Sequence, residues 1–426
     1  MKDNQFRLTN NQLLQPFQRF GVHLGLERIL ELLEYLENPH HRVPILHVGG
    51  TNGKVSVCAY LSSILTAAGY KVGRYTSPHL VDWNERICIN GEPIPSSTLE
   101  TILAEITAVI PSDRESPTQF EVITAAAYLY FARCEVDLAV MEVGLGGRLD
   151  ATNVSDRPLV TIITSLSRDH WQRLGSTLRD IAREKAGILK PGCNAVLGLL
   201  PPAAKEVVAA RIQELNCPAI WVKEPAKLLP KEGRWIVTQR HNYAEYEGIV
   251  YPLPLLGDVQ RINSAIAIAA IKVLQQLGWE IPEVAIEKGM SQTTWNGRLQ
   301  WTSWQNHQIL LDGAHNPAAA QALRCYIDIL DSSVTWVIGI LKTKDWEDML
   351  KAFLREGDIL YLVPVPNHDS VEPEELARVG NIICPHLGDC QTFPSLLPAL
   401  EGAMSSNYPI VLCGSLYLVG SFLQLL

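Results

Sequence analysis

Lys54, Glu142 and Lys185 are the side chains whose types and surroundings best suit phosphate and metal chemistry. Lys54 lies in Gly49-Gly50-Thr51-Asn52-Gly53-Lys54-Val55-Ser56, after the apolar run 43–48 and before an amphipathic stretch that starts at Val57. Strand, glycine-rich turn with lysine, then helix is the layout of a phosphate-binding loop. Its amides converge on phosphate oxygens, the helix end adds partial positive charge, and the lysine reaches the outer phosphates. Two positions depart from the general pattern. Val48 stands where the first glycine belongs, and Val55 follows Lys54 in place of Ser or Thr. On this stretch alone, a plain strand–helix turn remains the alternative.

Other polar groups sit where apolar runs end, which is where open α/β sheets bind ligands. Run 71–75 leads into Thr76-Ser77-Pro78-His79, and run 138–141 meets Glu142 directly. Run 159–163 leads toward Asp169-His170. A carboxylate beside a phosphate loop suits Mg²⁺, which takes oxygen ligands from one or two carboxylates plus substrate phosphates. The plainer reading of Glu142 is a cap on the turn Gly144-Leu145-Gly146-Gly147. His170 and Ser77, each on its own, read as an ordinary structural histidine and a turn residue.

Lys185 falls at i+7 from Leu178, in register with Ile181 and Ala182, so it shares the apolar stripe of an amphipathic helix. A lysine there either snorkels to the edge or is desolvated into a more nucleophilic amine. Such an amine can add CO₂ to form a carbamate with oxygen ligands for a metal. Further along, run 308–311 ends in Asp312-Gly313-Ala314-His315-Asn316-Pro317. Asp312 could meet ribose hydroxyls and His315 a phosphate or base; the alternative is a tight turn with an Asx bond. Lys342 and Lys344 read as part of a solvated loop.

The elements that must position these groups alternate along the chain. Strand-like runs at 45–48, 71–75, 138–141 and 159–163, separated by helical patterns such as 120–134, predict a parallel α/β layer. Short segments between 223 and 254 predict a small β-rich excursion, followed by a helix over 263–277. A second series, 308–311, 334–338, 359–363 and 410–413, predicts another α/β domain, with the cut near Trp295-Asn296-Gly297-Arg298. A length of 426 residues fits two or three domains. With 19% charged and 47% apolar residues the chain reads as soluble and globular. A net charge of −9 argues against a general nucleic-acid or anionic-membrane binder. Nine cysteines without a C-x-x-C pair read as scattered reduced thiols. The N-terminus has no apolar leader pattern, so cytoplasm is the expected location.

Taken together, the ordered motifs resemble the folylpolyglutamate synthase/dihydrofolate synthase family, a branch of the Mur ligases. They are Gly50-Thr51-Asn52-Gly53-Lys54, Tyr75-Thr76-Ser77-Pro78-His79, the run from Glu142 to Asn153, Asp169-His170, Glu184-Lys185-Ala186-Gly187, Gly297-Arg298-Leu299 and Asp312-Gly313-Ala314-His315-Asn316-Pro317. The likeness runs from about Phe20 to Gly420, and the absent first glycine is usual in this family.

The resemblance implies a P-loop-containing, mostly parallel sheet domain (1–297, ATP-binding) followed by a smaller Rossmann-like α/β domain (298–426). It implies ATP-dependent ligation of L-glutamate to dihydropteroate, reduced folates or both through an acyl phosphate. By the same resemblance Gly50, Thr51, Asn52, Gly53, Lys54, Val55, Ser56, Asn263, Arg298, Asp312 and His315 contact ATP, and Ser77, Glu142 and His170 bind Mg²⁺. Lys185 matches a carbamoylated lysine and, with Lys54 and His170, is expected to be catalytic. Ser77, Pro78, His79, Arg86 and Asp150 match the pterin-binding region. Expected cofactors are ATP, Mg²⁺ and, as an optional companion, a monovalent cation such as K⁺. Partners are small molecules only, with no nucleic acid and no membrane, and the protein is expected to be a monomer. Two departures stand out: Val55 where the family usually has Gly, and Val259-Gln260-Arg261 where it usually has a His-Gln pair.

Overall fold

The computed structural model describes residues 10–17, 25–228 and 242–426. Phe20 and the 229–241 part of the expected β-rich excursion lie outside them. The chain forms two compact units. The first comprises Met1–Leu166, Leu174–Pro252 and Ile262–Thr293; the second comprises Ser167–Arg173, Leu253–Arg261 and Thr294–Leu426. Two short segments before residue 297 therefore pack with the second unit.

Eight strands build the main sheet of the first unit: β1 Ile45–Gly49, β2 Val72–Tyr75, β3 Ile87–Ile89, β4 Glu92–Pro93, β5 Leu138–Glu142, β6 Val160–Ile163, β7 Asn194–Leu197 and β8 Ala219–Trp221. Their order is β4-β3-β2-β5-β1-β6-β7-β8. From β2 to β8 the pairing is parallel, and β3 with β4 adds an antiparallel edge. Every residue of β1, β5 and β6 is buried. Helices cover both faces of such a sheet, so its central strands carry mostly apolar runs. A small sheet of β9 Ala226–Leu228, β10 Asn242–Tyr246 and β11 Ile249–Leu253 forms part of the predicted excursion.

In the second unit β12 Gln300–Trp304, β13 His307–Leu311, β14 Thr335–Ile338, β15 Ile359–Leu362, β16 Asp389–Thr392 and β17 Ile410–Cys413 are ordered β12-β13-β17-β14-β15-β16. Only β12 runs antiparallel. Because β17 inserts between β13 and β14, the loops after these three strands gather at one end of the sheet.

Beneath that sheet lies a buried ion pair. The Asp358 carboxylate accepts from Arg324 Nη1 (2.8 Å), Trp336 Nε1 (3.0 Å) and the amides of Val334 (3.2 Å) and Arg355 (3.0 Å). Removing one partner of a buried pair strands the other charge in a dry site. Asp358→Ala should therefore lower unfolding stability by about 3–5 kcal/mol, read from the urea midpoint. A shift below about 1 kcal/mol would show that the second unit does not depend on this pair.

Candidate functional site

The glycine-rich loop connects β1 to helix α1, Lys54–Ala67. Gly53, at the N-cap position, has φ 85° and offers no side-chain cap to the helix. Amides in the first turn of a helix lack intrahelical acceptors, so those of Lys54 and Val55 point toward any anion placed there. Gly50 has φ 142°, and a Cβ at this position would fall 2.0 Å from Thr164 Oγ1. One at Gly53 would fall 2.4 Å from Asn263 Oδ1, which places Asn263 against the loop. Val55 lies inside α1 and is buried, so it adopts the right-handed conformation open to a β-branched residue. The loop is also anchored from behind. Thr51 N–H donates to Ser165 O (2.7 Å) and Asn52 N–H to Ser165 Oγ (3.1 Å), while Thr164 Oγ1 donates to Asn52 O (2.7 Å). The amides of Thr51 and Asn52 are thus committed to β6's following residues, which sequence reasoning missed. The polar pair Thr164-Ser165 just past an apolar run was the available signal.

Glu142 is the last residue of β5 and is 2% exposed. Its Oε2 accepts from Ser77 N–H at 2.8 Å, and its Oε1 lies 3.9 Å from Lys54 Nζ, which also donates to Thr51 O at 3.2 Å. A buried carboxylate, a serine and the loop lysine therefore meet at the ends of β2, β5 and β1. Hard oxygen donors beside a phosphate loop fit Mg²⁺ held partly by substrate phosphates. Among the described residues no three His, Cys, Asp or Glu gather into a ready-made cage. The glycine turn that Glu142 might have capped is tied instead by Asp150, whose Oδ2 accepts from Leu145 N–H at 2.8 Å.

Helix α2, Leu178–Ala186, opens with a capping box between Thr177 and Asp180 and presents Lys185 on its buried side. Lys185 is 6% exposed, so it does not snorkel; its Nζ donates to Gly50 O at 2.7 Å. A carbamate nitrogen keeps one N–H, so this contact is compatible with either form of the side chain.

Residues 76–86 form a closed loop: Thr76 N–H donates to Arg86 O, and Glu85 accepts from the amides of Leu80, Val81 and Asp82. Arg86 Nε donates to His79 Nδ1 at 2.9 Å while its guanidinium lies 4.3 Å over the Trp83 ring. Pro78 follows Ser77 through a cis peptide. Asp150 is buried inside its own loop. Its Oδ1 accepts from Thr152 N–H (3.0 Å) and Thr152 Oγ1–H (2.5 Å), and burial raises its pKa above the usual carboxylate value. Since Thr152 gives its hydroxyl proton to Asp150, it accepts from His47 Nε2–H (2.8 Å) on β1. Asp150 thus organises the Leu145–Thr152 turn from within.

Burial pulls His47, His79 and His315 down to about 3, with Lys190, Arg86 and Lys344 respectively adding to the effect. Unfolded, each returns to about 6.5, so the unfolded chain binds more protons between those values. The stability they contribute is complete above about pH 6.5 and is lost as pH falls toward 3. The raised Asp150 and Asp312 carboxyls work in the opposite sense, but they are outnumbered by these imidazoles and by His40, which burial pulls down to about 4. The urea midpoint should therefore drop from pH 7.5 to pH 5; a flat or rising midpoint would contradict these neutral imidazoles.

In the second unit Asp312 directly follows β13 and is buried, with Oδ2 accepting from Leu299 N–H and Oδ1 from Ala314 N–H. The Asx turn is present, and burial raises the carboxyl while nearby Arg298 opposes the rise. His315 Nδ1–H donates to Gly313 O at 2.8 Å. Asn316 caps helix α3, Pro317–Asp328, through Ala319 N–H.

His170 belongs to this second unit with Asp169, whereas Ser77 and Glu142 belong to the first. The expectation of a solvated lysine loop holds for Lys342, paired with Asp369 at the surface, but not for Lys344. Lys344 Nζ is 2.9 Å from Asp169 Oδ1, and both side chains are at most 10% exposed. Burial against an oppositely charged carboxylate, not visible in the local sequence, overrides the solvated reading.

Comparison with known proteins agrees with this layout. Residues 48–271 match the Mur ligase middle domain, and residues 297–425 match the dihydrofolate synthetase C-terminal domain. The folylpolyglutamate synthase of Lacticaseibacillus casei is 37% identical over 97% of each chain. The dihydrofolate synthase/folylpolyglutamate synthase of Escherichia coli is 33% identical over 95% of this chain and 92% of its own. A Mycobacterium tuberculosis folylpolyglutamate synthase complexed with ADP and AMPPCP superposes with TM-score 0.83 at 31% identity, covering 94% of this chain and 95% of that one. Escherichia coli FolC in complex with DHPP and ADP gives 0.82 at 32% identity, covering 97% and 95%.

Proposed function

We propose that this chain, which belongs to the folylpolyglutamate synthase/dihydrofolate synthase family of Mur ligases, runs that family's reaction with Lys54, Glu142 and Lys185 at its centre. It is an ATP-dependent ligase that joins L-glutamate to dihydropteroate, to reduced folates or to both, releasing ADP and phosphate. A carboxylate oxygen of the pterin substrate attacks the γ-phosphorus of ATP, ADP leaves, and an acyl phosphate forms. The glutamate amine then attacks the acyl carbon, loses a proton, and expels phosphate as the amide closes.

The observation that carries the site assignment is the Lys54–Glu142–Ser77 meeting point beside an uncapped helix end. Lys54 and the first-turn amides of α1 hold the phosphates and offset charge on the transferring group. Glu142 and the Ser77 hydroxyl, with His170 as a third ligand, would hold Mg²⁺, which when bound supplies further neutralisation of phosphate charge. Lys185, as a carbamate, supports that ion; K⁺ is an optional companion. The loop 76–86 with His79 and Arg86 receives the pterin, and Asp150 shapes the neighbouring turn. Asn263, Arg298, Asp312 and His315 contact the nucleotide. Residues 1–297 serve ATP and pterin, and 298–426 form the glutamate ligase domain. No described helix is long and apolar enough to cross a membrane; a cytoplasmic monomer is the form we infer.

The test is ADP release by purified protein with Mg²⁺, ATP and glutamate, comparing dihydropteroate with tetrahydrofolate as acceptor. Turnover with at least one acceptor is expected. Failure with both would overturn the proposal.

A further inference from the structure

The segment Ser167–Arg173 has flanks in the first unit but packs with the second, and the side chains that fasten it converge on Asp169. Asp169 Oδ1 accepts from Lys344 Nζ (2.9 Å) and from the amide of His170 (2.9 Å). Asp169 Oδ2 accepts from Asn316 Nδ2 (3.2 Å) and lies 3.7 Å from His315 Nε2. Lys344 Nζ also reaches His170 Nε2 at 3.4 Å. His170 itself has φ 51°, a conformation a non-glycine residue holds only when its surroundings impose it. Two further contacts lie on the same edge: Trp171 Nε1–H donates to Asp345 Oδ1 (3.0 Å), and Gln172 Nε2–H to Thr343 O (3.3 Å).

Asp169 is 8% exposed, so its charge needs a partner. Among the described residues Lys344 is the nearest cation to it, and their contact is charge-assisted at hydrogen-bond distance. Both the strained backbone and the imidazole of His170 are thereby fixed from one point.

We propose that Lys344 is a positioning residue of the ligase: through Asp169 it clamps segment 167–173 and so sets where His170 sits. This rests on His170 having the role in the reaction proposed above. Lys344 acts on the segment, not on the substrate, and Asn316 completes the clamp from the start of α3.

The experiment pairs Lys344→Met and Lys344→Arg with two readouts on the full chain. Amide hydrogen exchange of peptides spanning 167–173 should speed up about ten-fold or more in Lys344→Met, with peptides of β13 and β14 unchanged. In glutamate-dependent ADP release, kcat should fall about ten- to a hundred-fold with KM for pterin and glutamate within about three-fold of wild type. Lys344→Arg, which keeps a cation in reach of Asp169, should restore both. Unchanged exchange with a raised KM for glutamate would mean that Lys344 meets substrate directly, which overturns the proposal, as would unchanged exchange with unchanged kcat. Should Lys344→Met fail to fold, Asp169→Asn must show the same accelerated exchange. Combined with Lys344→Met in a folded background, it should add nothing beyond the single change. A wild-type protein without glutamate-dependent ADP release would sink the functional reading alone, since the exchange arm tests the clamp without it.

Discussion

Lys185→Ala should lower glutamate-dependent ADP release about a hundred-fold or more while the protein stays folded. The side chain is buried and its nitrogen donates to the Gly50 carbonyl, so alanine removes a contact to the phosphate loop together with any carbamate. Preorganised groups aimed at transferring charge are commonly worth this much. If the functional form is a carbamate, a small carboxylate such as acetate can enter the space left by the truncated side chain. Millimolar acetate or formate should then recover part of the lost rate. Carbon-13 NMR of wild type under ¹³CO₂ should show a carbamate carbon that Lys185→Ala lacks. Turnover at the wild-type level, or loss without rescue and without that signal, would contradict the carbamate assignment.

A second large effect is expected at Glu142. Glu142→Ala should cut turnover about a thousand-fold, because one change strips the counter-charge of Lys54, the acceptor of the Ser77 amide and the proposed anchor for Mg²⁺. The cause can be separated by calorimetry. Wild type should bind ATP much more tightly with Mg²⁺ than without it, whereas Glu142→Ala should lose that difference. An unchanged Mg²⁺ dependence would move the metal away from β5. Glu142→Gln offers a milder companion, since the amide oxygen can still accept from Ser77 while the charge is gone.

How far these residues could be read from sequence depends on what holds them. The central strands announce themselves, because β1, β5, β6 and β17 are buried throughout and read as largely apolar runs, interrupted within only by His47 and Thr161. The expected boundaries fall within a residue of the observed ones. Strand β16, Asp389-Cys390-Gln391-Thr392, lies at an edge and is mostly polar, so it carries no such signal. The β3–β4 hairpin was marked by Asn90-Gly91, both with positive φ, and that turn signature went unused.

At the site, local patterns reached Lys54, Glu142 and Lys185 because each stands at the end of a strand or on the stripe of a helix. The stripe placed Lys185 on the buried side but on its own favoured snorkelling, the commoner outcome; the Gly50 carbonyl, 135 residues away in sequence, decides for burial. Lys344 was misread for the same reason, since its partner Asp169 is 175 residues distant. His47 and Thr152 were invisible as a pair, although together they orient Asp150. The passage of residues 167–173 into the second unit leaves no trace in composition, because it is made by contacts with Asn316, Thr343, Lys344 and Asp345.

The central claim is that this chain activates a pterin carboxylate by phosphorylation before glutamate attacks. It is tested most directly by following oxygen. Dihydropteroate, or tetrahydrofolate if that is the acceptor used, is labelled with ¹⁸O in the reacting carboxylate and turned over with ATP and L-glutamate, and the released phosphate is analysed by mass. Phosphate carrying one carboxylate-derived ¹⁸O is the predicted result. Unlabelled phosphate, formed alongside amide product, would contradict it.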